Sequence, residues 1–402
     1  MTSGEFTTQL HEDLREQARA FAESVVLPRV AQMEESRAVD AELARAMARQ
    51  GWMAVTVGRR YGGMELGHLA KVILTEEVSR VSGAAGAILQ ASQLGVAKIQ
   101  HFGTDRQKSR WLPAISSGAC LPTIAVTEAD SGGWVLGMSA TARRDGDGWV
   151  LNGRKTFVGN SHIGDLHGVV VRTGEGNGGL SAFLVESERP GLSLGEYRPA
   201  MGLHGFSFGE LIFDNCRVPD ENLIGGEGGG LSVALSSSTL YGRLNLAAVA
   251  FGIHRALVEN SARFLAQQQR YGRPLSALGA VQQKLGAMQS RLMTAQLTLY
   301  YAAHLLDRGL SRDALLFNAK LVNVELLLDS ARTAMEVHGA RSLFPDQGIE
   351  RHVRDAFHLF APAGTSDVQR LRLAEFALGQ SKGEEWSHQF AAANRQYESA
   401  MA

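Results

Sequence analysis

The residues of this chain that could do chemistry are few and widely spaced. Gly225-Gly-Glu-Gly-Gly-Gly230 stands just before a helical segment, where its amides could cradle a phosphate, although a flexible domain linker is the plainer reading. No GxGxxG follows a strand and no GxxxxGK[ST] occurs, which excludes a nicotinamide-binding Rossmann unit and a P-loop. Asp130, Glu210, His358 and Asp367 could each take up a proton, and Ser161-His162 joins a hydroxyl to an imidazole. A cap, turn or surface role is the plainer reading of every one. Tyr241 is a poor base near neutrality, because a phenol ordinarily titrates near pH ~10. Cys120 and Cys216 belong to no CxxC or Cys/His cluster, so neither a zinc site nor a disulfide frame is expected, and the thiols suit a reducing cytoplasm. Near the end of the chain, Arg351-His-Val-Arg-Asp-Ala356 leads into the loop Phe360-Ala-Pro-Ala-Gly-Thr-Ser-Asp-Val-Gln369.

The elements that must hold these residues fall into three blocks. A length of 402 residues exceeds one simple core. Up to residue 120, apolar positions such as Leu14, Ala18, Phe21 and Val25 recur at helical spacing, and Thr104 starts a capped helix. Residues 121–230 carry short strand-like runs, Thr123–Thr127, Ser139–Arg144, Trp149–Leu151, Val169–Arg172, Leu180–Glu186 and Gly209–Phe213, with a hairpin turn at Asp145-Gly-Asp-Gly148. Residues 231–385 hold long periodic helices, Leu235–Gln267, Ala280–Arg308, Arg312–Gly339 and Val368–Leu378, and 386–402 form a polar tail that is disordered or folds on a neighbour. The expected class is α+β: an N-terminal helical domain, a small central β-barrel and a C-terminal antiparallel four-helix bundle. A net charge of −1 gives no field for nucleic acid or an anionic membrane, and no apolar run approaches the roughly 20 residues of a membrane span. The first residues show no secretion signal, so a cytoplasmic protein is expected.

An ordered series of short motifs carries a family resemblance. It runs Thr104–Lys108 with Leu112-Pro113, then Val126-Thr127-Glu128 with Gly132 and Gly137, then Leu151-Asn-Gly-Arg-Lys155. Met201-Gly-Leu203 with Val218-Pro219, Tyr271-Gly-Arg-Pro-Leu275 with Val281-Gln282, Arg354-Asp-Ala356 and Gly364-Thr-Ser366 complete it. From about residue 10 to 380 the chain resembles the acyl-CoA dehydrogenases, in a divergent, secondary-metabolism branch. The resemblance implies FAD, a homotetramer or homodimer, an acyl-CoA or acyl-carrier-protein substrate, and a flavoprotein or oxygen as electron acceptor. It also implies that a carboxylate removes an α-proton beside a polarised thioester, with the redox step left to the flavin.

Carried over residue by residue, the resemblance places Val126, Thr127, Gly132, Gly133, Phe157 and Gly159 beside the flavin, with Phe157 in place of a tryptophan and Gly133 and Gly159 in place of hydroxyl residues. Gly159 is expected to leave room near flavin N5. Tyr271 would meet the partner subunit's FAD. Gln268, Gly279, Glu336, Gly339, Thr365 and Asp367 fall at cofactor positions; Gln268 lacks the usual arginine's charge, and Glu336 is expected to add a negative one. Ala363 stands where the catalytic glutamate is most often found. Gly242, just before the family arginine at Arg243, stands at the alternative base position, so both sites are empty. The backbone amide of Ala363 remains able to polarise a thioester carbonyl. These departures point to a biosynthetic oxidoreductase on an acyl thioester. A monooxygenase of the same fold using externally reduced flavin, and a redox-inactive acyl-binding or scaffold protein, are the alternatives.

Overall fold

A computed structural model describes residues 6–380 and 385–394. The chain begins with six α-helices: α1 (Gln9–Phe21), α2 (Val30–Ser36), α3 (Ala41–Arg49), α4 (Gly67–Val81), α5 (Gly83–Phe102) and α6 (Asp105–Ser116). Thr104 caps α6 as its sequence predicts. Its hydroxyl accepts from the Gln107 amide at 3.2 Å while the Gln107 side chain accepts from the Thr104 amide at 2.9 Å, a reciprocal capping box. Gln107 also donates to the carbonyls of Glu221 and Leu223, both at 2.8 Å, so the cap fastens the helices to the sheet.

Helix α5 is the beam on which the other parts rest. Every residue from Gly83 to Ile99 is buried except Leu94. A Cβ on Gly95 would lie 2.4 Å from the Pro122 carbonyl oxygen, so only glycine lets the first strand cross so near the helix. Lys98 fastens that crossing, with its Nζ 2.6 Å from the carbonyls of both Gly95 and Thr123.

The middle of the chain forms one eight-stranded sheet among the described residues: β1 (Pro122–Ala125), β2 (Thr141–Asp145), β3 (Gly148–Gly159), β4 (Leu166–Arg172), β5 (Leu180–Glu186), β6 (Leu192–Leu194), β7 (Phe208–Pro219) and β8 (Leu223–Ile224). The order is β6-β7-β3-β2-β4-β5-β8, with β1 parallel to β4. The predicted hairpin turn closes β2 onto β3, pairing Asp145 with Gly148. Trp149, Leu151, Val169, Phe183 and Phe213 fill its core. β3 and β7 run much further than their short sequence signals. Two irregularities, between Leu151 and Gly153 and between Lys155 and Val158, break the period-two alternation that would have marked β3 as long. The second leaves Phe157 at φ +55° with its ring 59% exposed.

The C-terminal block contains α7 (Gly230–Ser237), α8 (Leu244–Gln267), α9 (Gly279–Asp307), α10 (Asp313–His338), α11 (Ile349–His358) and α12 (Ser366–Ala377). The expected single helix from Leu235 to Gln267 is interrupted by a π-turn at Ser238–Arg243. Such wide turns occur frequently at functional sites. α8 packs against α4, α9 and α10. Arg15, Glu76, Glu77, Arg255 and Tyr300 tie α1, α4, α8 and α9 by buried ion pairs and a hydroxyl bridge. Of the tail, residues 381–384 and 395–402 lie outside the described residues. The part described folds on its own chain: α13 (Trp386–Gln389) and α14 (Ala391–Asn394) follow the Asp313 carboxylate, which accepts from the amides of Trp386 at 3.1 Å and Ser387 at 2.8 Å.

Candidate functional site

The loop from Phe360 to Thr365 is held from beneath. Buried Lys320, on α10, donates to the carbonyls of Phe360 at 3.2 Å, Pro362 at 2.6 Å and Gly364. Three acceptors match the three N–H bonds of an ammonium, although burial and then nearby Arg243 push this lysine down to about 7. Gln369 adds a second clamp, donating to the carbonyls of Ala363 at 3.0 Å and Gly364 at 2.9 Å. Thr365 caps α12 by accepting from the Val368 amide at 3.4 Å. So braced, Ala363 is held in the left-handed region at φ +55°, which a non-glycine residue adopts only when its surroundings impose it. Among the described residues its N–H donates to no group of the chain.

The π-turn brings Arg243 and Gly242 against this loop. Arg243 is 7% exposed and donates to the Gln369 side chain at 2.9 Å, the Thr239 hydroxyl at 2.9 Å and the Ser238 hydroxyl at 3.4 Å. Its guanidinium also lies 4.7 Å from the Phe317 ring centre. All these partners are neutral, and burial pushes the arginine down to about 10. A Cβ on Gly242 would stand 3.4 Å from the Ala363 Cβ, 3.7 Å from the Ser238 hydroxyl oxygen and 3.8 Å from Leu94. The two positions expected to hold a base are therefore one place in space, and neither residue there carries an acid. Leu94, Ser238 and Ala363, which border this point, are all half-buried.

None of the substitute bases lies there. Tyr241 points the opposite way, its hydroxyl 3.3 Å from both Thr56 and His101, and burial pushes the phenol up. Glu210 pairs with Arg154 at 3.2 Å. Asp367 pairs with Arg370 at 3.0 Å while its side chain remains 93% exposed, and Asp130 is exposed. Ser161 accepts from the Gly209 amide at 3.1 Å, and His162 lies 3.0 Å from the Gly195 carbonyl, so this pair braces a turn. His358 sits in an aromatic wall, 5.1 Å from Phe208 and 6.4 Å from Phe206 between ring centres, and burial pushes it down to about 4. A histidine depressed in the folded state gives stability that is present above its unfolded pKa and lost as pH falls towards 4. His358→Phe should therefore flatten the pH dependence of stability between about 4 and 6.5 by roughly 2 kcal/mol, as read from denaturant midpoints, and should leave no missing limb near pH 6–7 in any activity profile.

The expected flavin face is assembled around β3. Lys155 donates to the Val126 carbonyl at 3.0 Å and to Glu128 at 2.8 Å, and Thr127 accepts from the Thr156 amide at 2.8 Å. Burial pushes Glu128 up, but Lys155 and the amides of Ser139 and Ala140 outweigh it and hold the carboxyl low. Gly132 and Gly133 face open space. Gly159 does not leave the room expected of it: a Cβ there would meet Ala91 at 3.0 Å and Phe206 at 3.2 Å, so its missing side chain is already replaced by packing. Glu336 is not an added free charge either, since Lys284 pairs with it at 2.7 Å and Arg332 at 3.4 Å. Gly279 and Gly339 have nothing near their Cβ positions, and Tyr271, at φ +52° in the turn after Gln268, is 90% exposed. The signals missed in the sequence were Lys320, Gln369 and Phe206. A lysine on the inner face of an apolar helix, as at Lys320, is a signal that could have been read.

Models of the acyl-CoA dehydrogenase N-terminal, middle and C-terminal domains match residues 8–119, 123–216 and 228–378. The chain belongs to the acyl-CoA dehydrogenase family. An acyl-CoA dehydrogenase of Bacillus subtilis is 32% identical over 375 residues, covering 92% of this chain and 99% of the relative. A 3-(aryl)acrylate reductase of Clostridium sporogenes is 32% identical over 377 residues, covering 93% and 100%. Among solved acyl-CoA dehydrogenase-like structures, glutaryl-coenzyme A dehydrogenase in its glutaryl-CoA complex superposes with a TM-score of 0.90 at 29% identity, covering 94% of this chain and 97% of that one. The FAD complex of PigA (TM-score 0.88, 26% identity, 93% and 98% covered) and the prolyl acyl carrier protein oxidase AnaB (0.88, 27%, 92% and 99%) are similar.

Proposed function

We propose that this acyl-CoA dehydrogenase family member is an FAD-dependent oxidoreductase of a CoA-bound or carrier-bound acyl thioester that works without the usual catalytic glutamate. The observation that carries the reading is the site around Ala363: the loop is fully clamped by Lys320 and Gln369, Arg243 is retained, and yet both base positions meet at 3.4 Å with no carboxylate between them. A chain that had lost its site would have no reason to keep a strained alanine under two clamps.

The residues present fit the cofactor. Phe157 offers an exposed aromatic face beside the braced Val126–Thr127 segment, and Gly132, Gly133, Gly279 and Gly339 border open space. Buried Thr156 Oγ1 has no partner, as expected of a group awaiting one. When bound, FAD supplies the two-electron acceptor. The chain's own part is to place the free Ala363 amide at the thioester oxygen, which acidifies the α-carbon, and to hold the loop rigid. With no side-chain carboxylate at either position, the α-proton would pass to solvent, and an acyl group that is already acidic or oxygenated would depend less on a strong base. A homotetramer or homodimer, with exposed Tyr271 against a partner's cofactor, and a cytoplasmic biosynthetic role belong to the same reading. The electron acceptor is a flavoprotein or oxygen. The monooxygenase alternative loses the room expected beside Gly159, since Phe206 and Ala91 occupy it, and keeps only the argument that it needs no base at Ala363 or Gly242.

Anaerobic mixing of the FAD-loaded protein with a panel of acyl-CoA and acyl-carrier thioesters is the test. Bleaching of the flavin by at least one thioester is the expected result; no bleaching across the panel would overturn the reading.

A further inference from the structure

The corner at Ala363 holds more positive charge than its direct contacts account for. Arg243 is buried and all its partners are neutral, and Lys320, buried just behind the same loop, binds only carbonyls. Asp313, the acid that acts on Arg243, has its carboxylate committed to the amides of Trp386 and Ser387. Burying a charge is costly, so a buried guanidinium with no carboxylate in direct contact, beside the half-buried Ala363 and Ser238, leaves a place for an anion.

Three donors remain unused at this corner. The Ala363 N–H is free among the described residues. Ser238 accepts from Arg243 through its oxygen, which leaves its own hydroxyl proton to donate, and that oxygen lies 3.7 Å from the Gly242 Cβ position. Arg243 uses Nε and Nη1 on its neutral partners, and Nη2 has no hydrogen-bond partner among the described residues. An amide, a hydroxyl and a guanidinium arm belong to residues that border the place where Gly242 and Ala363 leave only a hydrogen and a methyl group. That set suits a planar anion with two oxygens, because charge-assisted hydrogen bonds to a carboxylate are the strong ones.

We infer that the gap between Ala363, Gly242 and Ser238 is a carboxylate-binding site, filled by an anion that does not come from the protein. Two sources offer this chemistry, a carboxylate carried on the acyl group of the substrate and a small free carboxylate from solution. The inference rests on the thioester reading for the first source and is independent of it for the second. It also explains how both base positions can be empty while Arg243 is kept.

The test is calorimetric binding to the FAD-loaded protein, which does not depend on turnover. Succinyl-CoA and malonyl-CoA are compared with butyryl-CoA, and sodium acetate is titrated separately against sodium chloride of equal ionic strength. If the substrate supplies the anion, one of the carboxyl-bearing thioesters binds at least ~10-fold tighter than butyryl-CoA, a difference that Ser238→Ala erases without weakening butyryl-CoA and that Arg243→Gln erases as well. If a free anion supplies it, acetate binds in a Ser238-dependent manner and tightens butyryl-CoA. Ser238→Ala serves where Arg243→Gln fails to fold, because Ser238 is half-buried and its loss leaves Thr239 and Gln369 on the arginine. Equal binding of all three thioesters with no acetate effect would overturn the inference while leaving the thioester reading intact. Acetate binding without any thioester binding would overturn the thioester reading and leave the anion site standing. No binding of any kind would overturn both.

Discussion

Replacing Lys320 by methionine will destabilise the protein by about 3 kcal/mol and unfasten the loop that contains Ala363. Methionine preserves most of the volume of the lysine stem, so little of this loss comes from a cavity. It comes from the carbonyls of Phe360, Pro362 and Gly364, part-buried groups that all lose one shared donor. The methionine would also end the cost of burying a charge, which has kept this lysine down to about 7. The carbonyl loss is expected to win, since one polar group left unsatisfied costs ~1–3 kcal/mol and here there are three. The denaturant midpoint measures the first effect, and the affinity for whichever thioester bleaches the flavin measures the second, with a fall of roughly tenfold expected. An unchanged midpoint would mean that water already serves those carbonyls and that the clamp adds nothing.

Ala363→Glu is expected to turn the protein into an ordinary dehydrogenase of simple acyl thioesters, raising flavin reduction by butyryl-CoA by about 10²–10⁴-fold, the range a well-placed general base contributes. Three features favour success. The position is already left-handed with alanine, so the longer side chain adds no new backbone strain. Gly242 opposite offers a hydrogen in place of a side chain. Buried Arg243 and Lys320 would keep the new carboxyl ionised near neutral pH. The same variant should lose any preference for a carboxyl-bearing thioester, because the new side chain occupies the anion's place. Stopped-flow absorbance of the flavin measures the rate; no gain, in a variant that folds and holds FAD, would show that the acyl group does not pass beside Ala363.

These two residues also mark where sequence reading succeeds and where it stops. Ala363 and Gly242 could be picked out as the two expected base positions because motifs on either side fix the register, Arg354-Asp-Ala356 and Gly364-Thr-Ser366 for one and Arg243 for the other. Their contact at 3.4 Å was not legible, since they are over a hundred residues apart and meet only because α10, α12 and the π-turn converge. Thr104 was read correctly as a cap because a capping box is local. The long β3 was missed because its irregularities destroy the alternation that reveals strands. Glu336 was read only as an added negative charge because Lys284, which pairs with it at 2.7 Å, lies 52 residues away in the chain. Gly159 was misread as space because a glycine states only what its own side chain lacks, and Phe206 fills the gap from another strand connection.

The π-turn at Ser238–Arg243 has a further consequence for how this chain could have arisen or could be rebuilt. A wide turn accommodates one surplus residue, and an ordinary helix advances about 100° for each residue. Deleting one residue there would relax the turn to α-geometry and rotate α7 and everything before it, relative to α8, by about that angle. Gly242 and Arg243 would then no longer face the same direction as Ser238. The functional unit is thus a phase offset between two helical segments, and a shortened chain with every named residue still present would have it dismantled.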